Sequence, residues 1–322
     1  MLNGKHSSPA QPLVSVVIPA YNVSTYIAEA LDSVFIQDFK GYEVIVVNDG
    51  STDTPQLEQV LEPFRNRIRY IYQDNRGISA ARNAALRVAR GELIALLDAD
   101  DVWHEGKLTD QLAFMKEGNF DMVYGDAVLI GDVPWPAGTT FMDRSPSNGP
   151  VTLNSLLDLS VTVVVSTVIM RRDLVELAGL FDEEDRNITE DFDLWLRLAH
   201  KGARIGYQTK ILAGYRYRSD SISANRIKLH EAALRVLQKT RATLRLNDSE
   251  KEALNLTEQK LESILILERA KTLIVKGQVA EARAVMAKAR KTNNSWKISV
   301  ALVLLHTFPG LLGRYLKKRH HV

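Results

Sequence analysis

The first two-thirds of the chain alternates between two hydrophobic periods. VSVVI (14–18), YEVIVV (42–47), IRYIY (68–72) and LIALL (93–97) are short, β-branched or aliphatic runs of strand length. Between them, YIAEALDSVFIQ and ISAARNAALRVA repeat apolar residues three and four apart, the spacing of one helical face. A further helix is expected from Pro55 to about Phe64, with Asp53 or Thr54 as cap and Pro55 at the first helical position. Strands this continuously apolar, separated by helices, predict a mostly parallel sheet flanked by helices on both faces, an α/β fold. Downstream, 132–150 is rich in Pro, Gly and Ser and reads as a long loop. VTVVVSTVIM (161–170) reads as a strand, and TEDFDLWLRLAHKG as a helix ending at Gly202. Past Asn225 only helical spacing remains, and ERAKTLIVKGQVAEARAVMAKARK reads as a helical hairpin turning at Gly277.

Charge sharpens the division. Residues 1–225 hold 21 Lys+Arg against 31 Asp+Glu, whereas 226–322 hold 20 against 8. Halves of opposite sign imply different surroundings. The expected organisation is a disordered tail over 1–12, an α/β domain over 13–225 and a basic, all-helical C-terminal appendage over 226–322. The chain has no cysteine, which excludes a disulfide framework and a thiolate metal site. MLNGKHSSPAQP has no apolar core and does not read as a signal peptide, so the catalytic part is expected to face the cytoplasm.

The candidate chemistry sits where strands end. Ligands of open α/β sheets bind at the carboxyl ends of the strands. LIALLDADDVW runs an aliphatic strand into Asp98, Asp100 and Asp101, and YEVIVV runs into Asp49. Clustered carboxylates repel unless a cation or water takes up their field. An Asp-x-Asp pair suits Mg²⁺ or Mn²⁺, which takes oxygen ligands and few protein contacts. The plain alternative is an acidic loop capping the next helix. Asp49 can hold an Asx turn or accept from a ligand, and Tyr21 can stack on a base or pack its loop. Gly77 opens a helix whose N-terminus can meet phosphate. Arg82, in the second turn, can reach a ligand or neutralise Asp98 or Asp100. Glu190 and Asp191 begin the TED helix, where acidic residues also suit the helix dipole. Neither a P-loop nor a G-x-G-x-x-G after the first strand is present.

PAYN (19–22), VNDGSTD (47–53), NRGISAARN (75–83), LDADD (97–101) and TEDFDLW (189–195) follow one another in this order. In this the chain resembles family 2 glycosyltransferases over residues 13 to 223. The resemblance implies the GT-A fold and inverting transfer of a sugar from a nucleoside diphosphate to a hydroxyl acceptor, in surface polysaccharide or glycoconjugate synthesis. It implies Asp100 as direct ligand of the divalent cation and Asp98 on ribose or metal. Donor contacts fall to Pro19, Tyr21, Asn22, Asp49, Gly77 and Arg82, Asp191 is the implied base, and Glu190 stands in reserve or holds the acceptor. A UDP-sugar is the first expected donor. One departure is YRYRSDSIS (215–223), which has Arg218 where the family often has His. Arginine holds phosphate bidentately without a metal, so Arg218 is a donor-binding candidate.

The closing stretch ISVALVLLHTFPGLLGRYLKKRHHV is apolar, then basic. It can pack on the preceding hairpin as core, or lie on anionic lipid as an interfacial segment beside a lipid-linked acceptor, peripheral at the inner face of the membrane. His306, Thr307, Pro309 and Gly310 interrupt the run a spanning helix would need. No nucleic-acid module is visible, so no nucleic-acid partner is expected. A sugar-1-phosphate nucleotidyltransferase is the alternative enzyme, although PAYN is a poor phosphate loop. A non-catalytic sugar-nucleotide-binding protein is the other alternative.

Overall fold

The computed structural model describes residues 11–184, 189–218, 225–292 and 296–307. Most of the expected N-terminal tail, the 219–223 part of YRYRSDSIS, and RYLKKRHH lie outside them. The chain divides into two compact units, Met1–Ala224 and Asn225–Val322.

In the first unit the apolar runs become β1 (Val14–Ala20), β2 (Tyr42–Asp49), β3 (Arg69–Gln73) and β4 (Leu93–Leu96), with α1 (Ile27–Phe35), α2 (Thr54–Leu61) and α3 (Ile78–Leu86) between them. β1 lies between β2 and β4, parallel to both, with Val14 facing Tyr42 on one side and Leu93 on the other. β3 adds on parallel to β2. α2 is shorter than expected, with a 3₁₀ turn over Glu62–Phe64, and Asp53 does not cap it. Asp53 accepts instead from the Ser24 amide (2.9 Å), which joins the loops after β1 and β2.

Beyond β4 the expected parallel sheet becomes mixed. The elements are β5 (Val102–Trp103), α4 (Lys107–Glu117), β6 (Met122–Gly131), α5 (Phe141–Arg144), α6 (Leu153–Leu157), β7 (Ile169–Arg171), α7 (Arg172–Leu177), α8 (Glu190–His200) and β8 (Ile205–Tyr217). The sheet order is β3-β2-β1-β4-β7-β6-β8-β5, with β7 antiparallel to both β4 and β6 and with β8 parallel to β6. The strand expected over 161–170 shrinks to β7. Within that run Ser166 and Thr167 are spent on other partners: the Thr167 hydroxyl bonds both the amide and the carbonyl of Gly125, and its own carbonyl takes the Gln111 amide. Hydroxyls that satisfy distant backbone in this way replace the ladder. The expected loop at 132–150 contains α5, closed by a reciprocal Thr140–Asp143 capping box.

The core lies between the sheet and its helices, built on Val16, Ile18, Val44, Val46, Ile27, Leu31 and Leu57, all at most 2% exposed. Two antiparallel steps restore direction, so β6 and β8 run the same way as β1 and β4. Their carboxyl ends therefore share one edge.

The second unit is helical, with α9 (Arg226–Thr243), α10 (Asp248–Val275), α11 (Val279–Thr292) and α12 (Trp296–Thr307). The hairpin between α10 and α11 turns at Gly277, as expected. Its small core joins Ile274, Ala282 and Met286 to Ile298, Leu302 and Leu305 of α12.

Candidate active site

The carboxyl edge is organised by hydrogen bonds between loops. After β2 the turn is held by Asn48, whose side-chain oxygen accepts from the Ser51 amide at 2.9 Å. Gly50 takes φ +62°, and a Cβ there would meet the Asn75 amide nitrogen at 2.6 Å, so only glycine lets 75–77 pass this close. Asp49 does not hold its own turn. Its buried carboxylate accepts from the Arg76 amide (2.9 Å), the Gly77 amide (2.8 Å) and the Gln73 side chain (2.7 Å). The Gly77 N–H, expected to face a phosphate, is thus given to Asp49, and φ +91° at Gly77 turns the chain into α3. Asn22, at φ +55°, accepts from the amide and hydroxyl of Thr52 (both 2.9 Å) and ties PAYN to the same turn. Pro19 lies in β1 opposite Val47, and Tyr21 stands 46% exposed at the rim.

Arg82 is the centre of the site. It is 1% exposed, donates to Asp98 (2.7 Å), and donates to Glu190 with its other terminal nitrogen. Burial alone would lower its pKa, but the charges of Asp98, Glu190 and Asp191 outweigh this and raise it. The motif after β4 and the motif opening α8 are therefore held to one guanidinium, 108 residues apart in sequence for the Glu190 contact. Burial raises the Glu190 pKa to about 7 against the pull of Arg82. Asp191 is half-buried, its pKa also raised by burial, and one of its oxygens accepts from the Phe192 amide (2.8 Å).

The three carboxylates after β4 have three different partners. Asp98 faces Arg82. Asp100 accepts from Arg218 (3.2 Å), and burial together with the Asp98 charge raises its pKa. Asp101 is buried, accepts from the Ser166 hydroxyl (2.5 Å) and the Arg216 amide (2.7 Å), and is pushed well up by burial and by Asp98 and Asp100. The Arg216 guanidinium donates to the Asp100 carbonyl (2.7 Å) and to Glu29 (2.6 Å), and both Arg216 and Arg218 lie 5.1 Å from the Tyr26 ring centroid. Ser166 also accepts from the Asp98 amide (3.1 Å), and its carbonyl takes the Trp103 indole N–H (2.6 Å).

A divalent cation fits Asp98 and Asp100. Their carboxylates are neighbours, the side chains are 29% and 24% exposed, and Asp100 still feels the Asp98 charge despite both arginines. No set of three or more acidic or imidazole groups converges on a metal among the described residues. Two carboxylates completed by substrate oxygens are the usual Mg²⁺ arrangement.

All the expected residues lie on this edge. Asp101, Ser166 and Arg216 were not among them. Asp101 is visible in DADD and Arg216 in YRYR, but Ser166 gives no signal beyond a polar residue in an apolar run. The concavity of about 880 Å³ lined by Leu13, Leu93, Met115 and Arg171 is at the other end of the strands and contains none of these groups.

The pattern of the family described as "Glycosyl transferase family 2" matches residues 15–177. A putative teichuronic acid biosynthesis glycosyltransferase of Bacillus subtilis is 33% identical over 68% of this chain and 84% of its own length. A UDP-Glc:alpha-D-GlcNAc-diphosphoundecaprenol beta-1,3-glucosyltransferase of Escherichia coli is 29% identical over 67% and 81%. A glycosyltransferase of Rickettsia conorii is 31% identical over 70% of this chain, which spans 37% of that relative's length. Among solved structures, S. aureus TarS 1–349 in complex with UDP superimposes with TM-score 0.62 at 22% identity, covering 96% of this chain and 91% of that one. A Pyrobaculum calidifontis mannosyltransferase in complex with GDP-Man and Mn²⁺ gives TM-score 0.60 at 20% identity, covering 95% and 85%. With its motifs on one sheet edge and its fold shared with these neighbours, the chain belongs to glycosyl transferase family 2 and has the GT-A fold.

Proposed function

We propose that this chain transfers a sugar, with inversion, from a nucleoside diphosphate to a hydroxyl acceptor in polysaccharide or glycoconjugate synthesis. The observation that carries this reading is Arg82 bonded to both Asp98 and Glu190, which holds the donor-side and acceptor-side carboxylates in one site. Asp98 and Asp100 would hold Mg²⁺ or Mn²⁺, which would supply Lewis-acid stabilisation of the diphosphate leaving group. Arg218, already beside Asp100, contacts the same diphosphate. Tyr21, Asn22, Asp49 and the PAYN strand end receive the base and ribose. Asp191 takes the acceptor's hydroxyl proton as that oxygen bonds to the anomeric carbon and the carbon–diphosphate oxygen bond breaks. Glu190 is the positioning residue, since its carboxylate is occupied by Arg82.

A UDP-sugar is the favoured donor, because TarS is solved with UDP and UDP-GlcNAc and the E. coli relative is named for UDP-Glc. The GDP-Man neighbour makes the base a matter for experiment. The E. coli relative's name gives a diphosphoundecaprenol acceptor, which favours a lipid-linked acceptor met at the inner face of the membrane.

The test is a screen of UDP-, GDP- and dTDP-sugars, each with Mg²⁺ or Mn²⁺, for release of nucleoside diphosphate. One donor should be consumed by the wild type and spared by Asp191→Asn. If no donor is consumed, or if a nucleoside triphosphate and a sugar phosphate are joined instead, the reading fails.

A further inference from the structure

α12 is apolar on its inward side and along most of its outward side, with Lys297, Ser299, His306 and Thr307 as its polar residues. Its inward residues Ile298, Leu302 and Leu305 are buried in the core of the helical unit. Its outward residues Trp296, Val300, Val303 and Leu304 are 70%, 47%, 57% and 40% exposed. Steps of three and four place these four side chains on one side of the helix. A helix face turned to water ordinarily carries polar residues, and an exposed apolar stripe of this kind is ordinarily covered. The twelve described residues of α12 rise only ~18 Å, and no described helix is long and apolar enough to cross a membrane.

Charge selects the occupant. From Val279 to Val322 the sequence carries nine Lys+Arg and one acidic residue, Glu281. A second copy docked on this face would bring an equal positive excess against the first. An anionic lipid surface offers a compensating charge and an apolar layer for the four side chains. Trp296, at one end of the face, is a residue type enriched at membrane–water boundaries. The helix is also braced from behind. The Arg283 guanidinium of α11 donates to the Leu305 carbonyl (2.8 Å), which ties α12 to α11 and fixes which side turns outward.

We infer that the outward face of α12 is an interfacial docking surface, which lies flat in the headgroup region of an anionic membrane. The inference deepens the lipid-linked acceptor reading and rests on it for its purpose, but its test does not depend on transfer. Full-length protein is floated with phosphatidylcholine vesicles, with and without phosphatidylglycerol, and compared with Val300→Asp/Val303→Asp. Both positions are exposed, so melting and donor turnover should be unchanged. The wild type should float with the anionic vesicles only and release in high salt, and the double variant should bind at least ~tenfold more weakly. Absence of wild-type flotation, equal flotation by the variant, or a dimer abolished by the variant in sedimentation velocity would each overturn the inference. So would a wild type that binds only after residues 308–322 are deleted, since those residues would then be the cover. Flotation without donor turnover would sink the proposed function alone.

Discussion

Asp191 and Glu190 are adjacent in sequence and have different fates. Glu190 is buried against Arg82, whereas Asp191 gives one oxygen to the Phe192 amide and is half-buried. Asp191→Asn retains this shape but cannot take a proton. Transfer should fall by ~10²–10⁴ while donor affinity, measured by calorimetry, stays near wild type. Burial raises the Asp191 pKa from 3.8, so the base is lost to protonation above the ordinary aspartate range as pH falls. The acidic limb of kcat should be displaced upward accordingly. Glu190→Gln removes the group titrating at about 7 and separates the two contributions. Asp100→Ala should cost ~10²–10³ in rate and lose the dependence on divalent cation. Turnover that keeps its Mg²⁺ or Mn²⁺ dependence in this variant would remove Asp100 from the metal site.

At the scale of elements, the antiparallel insertion of β7 matters most. Because β7 runs against its neighbours, the carboxyl edge of the sheet receives the residues that precede it. Ser166 therefore stands beside the end of β4, where it accepts from the Asp98 amide and donates to Asp101. β8 approaches from the other side and closes on the same segment through the Arg216 amide and guanidinium. The turn holding Asp98 and Asp100 is thus clamped by elements that follow it in sequence. Ser166→Ala deprives a buried carboxylate of a donor, a deficit of about 1–3 kcal/mol. Urea unfolding should show that loss. The apparent affinity for the divalent cation should also weaken, an effect that a purely global loss of stability would not produce.

At the scale of the molecule, one buried lysine works against the fold. Lys107 is 0% exposed, and its ammonium has no hydrogen-bond partner among the described residues; it lies 4.0 Å from the Trp103 ring centroid. Burial lowers its pKa well below 10.5. A lysine whose pKa is lowered in the fold disfavours folding at every pH below 10.5, so the penalty present at neutral pH is relieved as pH rises toward 10.5. Lys107→Met retains the length and removes the penalty. Its melting temperature should exceed wild type at pH 7, by about 2–4 °C for each kcal/mol recovered, and the gap should narrow at alkaline pH. A lower melting temperature at pH 7 would show that the contact with Trp103 outweighs desolvation.

Local signals determined much of this protein. β1, β2 and β4 announce themselves because each is buried along most of its length and must be largely apolar, β3 by its short aromatic and aliphatic run at the sheet edge, and the helices between them because each has one dry side. The residues at the strand ends followed from that alone, since a parallel sheet brings its carboxyl ends to one edge. The turn at Gly277 and the helical second unit were equally local, set by spacing and composition. Tertiary structure decided the rest. β6 and β8 take their partners from distant parts of the chain, and β7 is three residues long in a run that looks like ten. No short window of sequence contains such pairings. Asp49 was legible as a strand-end carboxylate, but its three donors come from Gln73, Arg76 and Gly77. Arg82 was legible as a helix cation, yet its hold on Glu190 depends on where α8 begins in space. The sequence named the charged groups. Only the fold could pair them, because a buried charge is settled by whichever partner the packing brings within hydrogen-bond distance.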